Sequence, residues 1–394
     1  MTAIVLIILA CVAIFSFFSK AIGRTIVTLP MIFVALGLAL SEPLRASVSP
    51  ALAHDGKILL GQITLILVLY SDASHVQFRH LAQSWKIPAR MLVIGLPLTI
   101  LLGTAVAYLL NPGAGLAMSL LTAALLTPTD AALGQTVVSS AEVPEKLSQS
   151  INVESGLNDG LVLPFILIGA IFASAMGGHG HTEDLAVELI TELALAPFVG
   201  VAIGWGFAKI MDWANDRGVM NEPAGGVAFL CAAFIAYLLA TFVHANGFIA
   251  AFVAGMVFGN VYRNDIHFIG EFMEGAGQIL TMMAFLAFGA FLLPDGLAHA
   301  NGMTVVLAVL FLTVVRILPI FISLAGSGLS LGDKLFLGWF GPRGLASILF
   351  TLLMMDAFEL QTEDELLACV SLTVALSIVL HGVSAAPLVR ALRR

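Results

Sequence analysis

Apolar residues run along this chain in blocks of membrane-spanning length, separated by short polar breaks. A span needs roughly 20 mostly apolar residues. Thirteen blocks can be laid out, centred within 2–19, 25–41, 57–76, 90–110, 115–139, 150–176, 184–208, 225–243, 246–261, 271–293, 302–325, 332–356 and 365–389, the ninth being short. Each predicts an α-helix. No basic stretch precedes Ile4–Phe18 and no clear small-residue cleavage site follows it, so the first block reads as a span rather than a signal. No extramembrane stretch is long enough for a separate soluble domain, and residues 1–394 read as one transmembrane unit.

Two blocks are interrupted by proline beside charge: the fifth at Thr127-Pro128-Thr129-Asp130, and the twelfth at Gly341-Pro342-Arg343-Gly344. They stand seven blocks apart, and seven is odd, so two such halves would lie in the membrane with opposite orientation. Matching broken helices in inverted halves point to a secondary-transporter site near the bilayer midplane. The expected architecture is all-α and polytopic. Its first repeat covers about 1–176, a linker helix about 184–208, and the second repeat about 225–394.

Composition agrees with the membrane class. Apolar residues make up 59% of the 394, charged residues 11%, and the mean hydropathy is +1.02. A soluble domain carries about 25% charged residues. The net charge of −8 points to no partner, and no nucleic-acid partner is expected. Cys11, Cys231 and Cys369 each sit in an apolar run, at spacing that suits neither a disulfide framework nor a metal site.

Basic residues orient the blocks. Segments after odd-numbered blocks hold Lys20, Arg24, Arg79, Lys86, Arg90, Lys146, Lys209, Arg217, Arg263, Lys334, Arg390, Arg393 and Arg394; those after even-numbered blocks hold Arg45 and Lys57. The N-terminus is therefore expected outside and the C-terminus in the cytoplasm.

Six ionisable residues fall inside spans: Asp72, Asp130, Glu154, Asp159, Arg316 and Arg343. Each costs at least about 2.5–3.5 kcal/mol on insertion scales, so each needs a partner or a function. In the sixth block Glu154 and Asn158 lie i,i+4 on one helix face, and Ser155 and Asp159 share the adjacent stripe. Gly156 and Gly160 repeat at small-xxx-small spacing, where a neighbouring helix can approach closely. Ser155 and Asp159 supply the oxygen ligands that hard monovalent cations take, and the same carboxylate can hold a proton instead. Pro128 breaks the fifth helix and frees carbonyls such as that of Thr129. Asp130 would neutralise a positive helix end or line the cation site, and Arg343 would compensate partial charges at the twelfth-block break. Arg316 needs a carboxylate, and Glu154 is its natural partner. Asp72 reads either as an access-funnel residue or as a helix-end packing partner. The histidines show no ligand spacing; His179 and His181 fall in an outer loop, His54, His75, His80, His244, His267 and His299 near span ends, and His381 inside the membrane.

Together, Thr129-Asp130, Glu154-Ser155-Gly156-Leu157-Asn158-Asp159-Gly160, Arg316 and Gly341-Pro342-Arg343-Gly344 resemble the bacterial NhaP and eukaryotic sodium/proton exchanger branch of the monovalent cation:proton antiporters. The resemblance implies thirteen helices in two inverted repeats with crossing, broken fifth and twelfth helices, a homodimer in the cell (inner) membrane, and an elevator-like motion of a core domain. It implies Asp159 as the ion- and proton-binding carboxylate, with ligands at Ser155, Asp130 and the Thr129 backbone, and a Glu154–Arg316 pair. Asn158, standing where others carry a second aspartate, resembles the electroneutral exchangers. Ala131 follows Asp130 where many members have proline, and Asp72 is shorter than the glutamate often found there. The expected function is exchange of Na+ (or Li+ or K+) for H+ by alternating access, proton and cation competing for Asp159, with no cofactor. A cation channel, an intramembrane aspartyl protease and an organic-anion carrier are the competing readings; no filter-like loop or paired-aspartate context is present, and the acidic stripe opposes an anionic cargo.

Overall fold

The computed structural model describes residues 2–23, 25–76, 85–130, 133–134, 142–176, 182–264 and 267–392, and every regular element among them is helical. Lipid leaves few alternatives, since each backbone polar group must be satisfied inside its own segment. In chain order the helices are α1 (Thr2–Ile22), α2 (Leu29–Ala39), α3 (Ser41–Ser47), α4 (Pro50–His75), α5 (Lys86–Leu110), α6 (Gly115–Leu125), α7 (Glu145–Met176), α8 (Thr182–Asp216), α9 (Glu222–Phe242), α10 (Gly247–Val261), α11 (His267–Ala287), α12 (Leu293–Ala298), α13 (Gly302–Leu312), α14 (Val314–Ser323), α15 (Leu331–Trp339), α16 (Leu345–Ala357) and α17 (Glu363–Leu392). Single π-turns interrupt α5 at Met91–Gly95 and join α11 to α12 at Phe288–Leu292.

Among the described residues, nine helical stretches are long and apolar enough to cross a membrane, or ten when α2 and α3, bent by 59°, are taken as one span. Three shorter apolar helices, Pro112–Leu125, Gly247–Val261 and Leu345–Ala357, lie in the segments assigned above to the fifth, ninth and twelfth spans. The segment given to a linker helix at 184–208 is a longer helix, α8, running to Asp216. Large apolar side chains point outward along these helices, Phe17 and Phe242 being 81% exposed and Phe198 72%, as a lipid-facing surface requires.

Packing divides the helices into two groups. In one, α4, α8 and α9 gather around α10, with α2 and α11 alongside. Small residues set these distances: a Cβ on Gly255 or Gly259 of α10 would strike the α4 backbone at Tyr70 or Ser74, and one on Gly200 or Gly204 of α8 would strike α10. Close backbone approach through small residues is how helices pack where lipid removes the hydrophobic drive. The other group joins α5, α6 and α7 with α13–α17. The groups meet where α4 packs on α16 and α7, and where α12 packs on α17.

Two broken helices sit in the second group. α6 ends at Leu125, and residues 128–130 have no regular structure; α15 ends at Trp339, and residues 340–344 have none before α16 begins at Leu345. A third break separates α13 from α14 at Thr313, whose φ −116 and ψ −89 leave the helical region.

Candidate functional site

The two breaks meet and satisfy each other's backbone. The Asp130 N–H donates to the Pro342 carbonyl at 2.8 Å, and Asp130 Oδ2 accepts the N–H of Leu345, the first residue of α16, at 2.8 Å. Arg343, fully buried, reaches back the other way: its Nη1 donates to the Thr127 carbonyl and, at 3.3 Å, to that of Pro128. Helix ends leave N–H groups and carbonyls without partners, carrying partial positive and negative charge respectively. A carboxylate at the start of α16 and a guanidinium at the end of α6 match those signs. Arg343 was expected to compensate its own break, but its guanidinium serves the opposite one. Arginine has the reach, and its own break is served by Asp130. No side chain fits at Gly344, where a Cβ would collide with the Asp130 carboxylate.

Beside this crossing, α7 carries the polar stripe. Thr129 Oγ1 is its hub, lying 2.9 Å from Ser155 Oγ and accepting the Asn158 Nδ2–H at 2.6 Å. Thr129, Ser155, Asn158 and Asp159 are all buried. Asp159 Oδ1 and Asn158 Oδ1 are buried and have no hydrogen-bond partner among the described residues. The charged groups acting most strongly on Asp159 are the carboxylates of Asp72 and Asp130. Asp72 lies in the last turn of α4, half-buried, and that helix presses on α7 so closely that a Cβ on Gly156 would stand 3.2 Å from the Asp72 carbonyl oxygen. Gly160 faces a different helix, α10, against the Phe252 ring.

One turn away, Arg316 of α14 donates to both carboxylate oxygens of Glu154, at 2.5 and 2.7 Å, and both side chains are 4% exposed. Gly341 lies against this guanidinium and has no room for a Cβ. Two sites thus stand on α7: an ion pair at Glu154, and a carboxylate at Asp159 on which Asp72 and Asp130 act. A bare buried charge without a partner costs several kcal/mol, a cost avoided when the group holds a proton or a bound cation.

Reading the residues alone missed three features here. Thr129 enters through its side chain, where only its backbone had been expected. Thr313 breaks the helix before Arg316 with no proline or glycine at the break. His381 and Ser377, four residues apart on α17, contact the second break. Of the other histidines, His80, His179 and His181 lie outside the described residues, as do the basic residues Arg24, Arg79, Arg393 and Arg394.

The family model described as "Sodium/hydrogen exchanger, transmembrane" matches residues 5–391. The chain belongs to the sodium/hydrogen exchanger family. It is a transporter rather than an enzyme, and the channel and protease readings fall away. The Na(+)/H(+) antiporter NhaH of Halobacillus dabanensis is 26% identical over 383 residues, covering 93% of this chain and 91% of that protein. The K(+)/H(+) antiporter NhaP of Alkalimonas amylolytica is 23% identical over 95% of this chain, which spans 64% of that relative's length. Among solved structures, the sodium proton antiporter MjNhaP1 from Methanocaldococcus jannaschii at pH 8 superposes with a TM-score of 0.81 at 19% identity, covering 100% of this chain and 99% of that one. At that identity the likeness establishes the fold.

Proposed function

We propose that the protein exchanges a monovalent cation, Na+ or alternatively Li+ or K+, for H+ across the membrane by alternating access, the cation and the proton competing for Asp159. The observation that carries this reading is the buried Asp159 Oδ1, which has no hydrogen-bond partner among the described residues while two further carboxylates, Asp72 and Asp130, act on it. Such a carboxylate is stable when it holds either a proton or a cation, and the two are mutually exclusive on it. Ser155, Asp130 and Thr129 complete an oxygen-ligand set, which suits a hard cation. Asn158 holds the Thr129 hydroxyl, and Glu154 with Arg316 forms a structural pair that carries no cargo. Asp72 lines the approach.

Exchange is electroneutral on this reading, because one carboxylate trades one H+ for one monovalent cation and Asn158 adds no second charge. Both a Na+/H+ and a K+/H+ antiporter stand among the relatives, so the cation is decided by cavity size and ligand register. The protein works as a homodimer of thirteen-span protomers in the cell (inner) membrane, N-terminus outside and C-terminus in the cytoplasm. The two inverted repeats, about 1–176 and 225–394, are joined by the helix that includes 184–208.

The test is proton flux in proteoliposomes, read by dequenching of an acid-loaded dye as Na+, Li+ or K+ is added in turn. Wild-type protein dissipates the gradient with at least one of them. Asp159→Asn, present in the membrane in equal amount, gives the flux of empty vesicles. Retained cation-dependent proton flux in Asp159→Asn rejects the proposal.

A further inference from the structure

The second break is gripped from its far side by α17. Ser377, His381 and Ser384 stand at i, i+4 and i+7, one face of a helix. Ser377 Oγ accepts the backbone N–H of Arg343 at 2.7 Å, and His381 Nε2 lies 2.9 Å from the carbonyl oxygen of Trp339. Ser384 Oγ accepts the Trp339 indole N–H at 2.9 Å, and the indole lies 5.1 Å from the imidazole centroid, tilted by 31°. Trp339 ends α15 and Arg343 lies in the non-helical stretch, four residues on, so the N–H and carbonyl taken up by α17 are the pair that a continuous helix would have joined to each other; the Trp339 carbonyl also accepts the Gly341 N–H at 2.8 Å. Ser377 and His381 are 0% and 1% exposed, which leaves bulk water no part in this.

The His381 Nδ1 stands 3.1 Å from Ser377 Oγ and 3.0 Å from the Ser377 carbonyl oxygen. Two proton arrangements fit these distances. In the neutral one, Arg343 N–H donates to Ser377 Oγ, the Ser377 hydroxyl donates to His381 Nδ1, and His381 Nε2–H donates to Trp339; each proton is used once, and the 3.0 Å approach of Nδ1 to the Ser377 carbonyl oxygen then carries no hydrogen bond. In the cationic one, both ring nitrogens donate to carbonyls and the Ser377 hydroxyl proton loses its acceptor. The charged groups acting on the ring are the guanidinium groups of Arg343 and Arg316, and Glu154 is already held by Arg316. A third buried positive charge there is repelled by both guanidinium groups and is offset only by the two carbonyl acceptors.

We infer that Ser377 and His381 form a neutral hydrogen-bond relay that sets the position of the second break, and through Arg343 and Asp130 the geometry of the cation site. The inference rests on the site proposed above. His381 is a positioning residue: it touches neither Asp159 nor Thr129, and acts through the backbone of residues 339–343, whose Pro342 carbonyl and Arg343 side chain hold the first break. The relay also accounts for a histidine sealed inside a membrane helix, a placement that otherwise costs stability without return.

His381→Gln keeps a donor and an acceptor on one side chain, whereas His381→Phe keeps the volume and loses both. The apparent KM for the transported cation rises fivefold or more in His381→Phe and in Ser377→Ala, while His381→Gln stays within twofold of wild type. The double variant Ser377→Ala/His381→Phe is no worse than either single change, because each already breaks the relay. A wild-type KM in His381→Phe overturns the inference. A second measurement reads the relay without transport: in 15N-histidine-labelled protein in bilayers, with His381→Gln assigning the signal, His381 gives the neutral Nε2–H pattern at pH 7. An imidazolium pattern there overturns the relay even if exchange at Asp159 holds. Absence of cation-dependent flux in the wild type, with the neutral pattern present, fails the site reading instead and leaves the relay as a purely structural clamp.

Discussion

Arg316 and Glu154 form a two-pronged ion pair, with both carboxylate oxygens engaged at 2.5 and 2.7 Å and both side chains nearly sealed from solvent. Breaking such a pair strands the remaining charge, which costs about 3–5 kcal/mol. Glu154→Ala or Arg316→Ala should therefore lower thermal stability in detergent strongly and reduce the amount in the membrane. The double change Glu154→Ala/Arg316→Met should recover most of the loss. Additive losses in the double variant, measured by thermal unfolding, would show that the pair is not the stabilising unit.

Gly344 and Gly341 are fixed by what lies against them. A Cβ at Gly344 meets the Asp130 carboxylate and one at Gly341 meets the Arg316 guanidinium, whereas Gly206 on α8 has open space around its Cβ position. Gly344→Ala should push Asp130 off the start of α16 and cut exchange at least tenfold with the protein still inserted. Gly341→Ala should cost stability in the way loss of Glu154 does. Gly206→Ala should leave both flux and thermal unfolding within error of wild type.

Asn158 donates to Thr129 Oγ1 at 2.6 Å, the same oxygen that contacts Ser155. One hydrogen bond contributes about 0.5–1.5 kcal/mol net, so releasing Thr129 should weaken cation affinity roughly two- to tenfold by the usual conversion. Asn158→Ala should raise the apparent cation KM by that amount, and Thr129→Val, which loses both contacts, should raise it further. Flux titrations against cation concentration check both. An unchanged KM in Thr129→Val would remove Thr129 from the site.

Competition fixes the sign of the pH dependence. Protons displace the cation from Asp159, so the apparent KM for the cation should rise as pH falls. It should approach a tenfold rise per pH unit once the shared carboxyl is mostly protonated, with the maximal rate unaffected by that competition. Flux measured with equal pH on both sides checks this, and a cation KM independent of pH would contradict a shared carboxylate.

Much of the fold was legible because lipid imposes block lengths on the chain. The apolar runs around α1, α4, α7 and α17 lie within helices long enough to span, and Pro128 and Pro342 announced the two breaks. The acids and Ser155 on α7 were legible as a stripe, since helical periodicity alone puts them on one side. What could not be read is register between distant segments. Arg343 reaches across to carbonyls more than two hundred residues earlier, and the Thr129 hydroxyl meets Ser155 and Asn158 only because α6 ends where α7 passes. The break at Thr313 lies in a largely apolar run, Phe311-Leu312-Thr313-Val314, with no proline or glycine to mark it. His381 was recognisable as intramembrane, but its partners come from the backbone of another helix.

Proton release on cation binding tests the shared carboxylate most directly. When Na+, Li+ or K+ is added to purified protein in weakly buffered detergent solution near the pH where the site is half-protonated, wild-type protein should release protons into solution as the cation binds. Asp159→Asn should release none. Cation binding without proton release in the wild type, or undiminished release from Asp159→Asn, would contradict competition at Asp159.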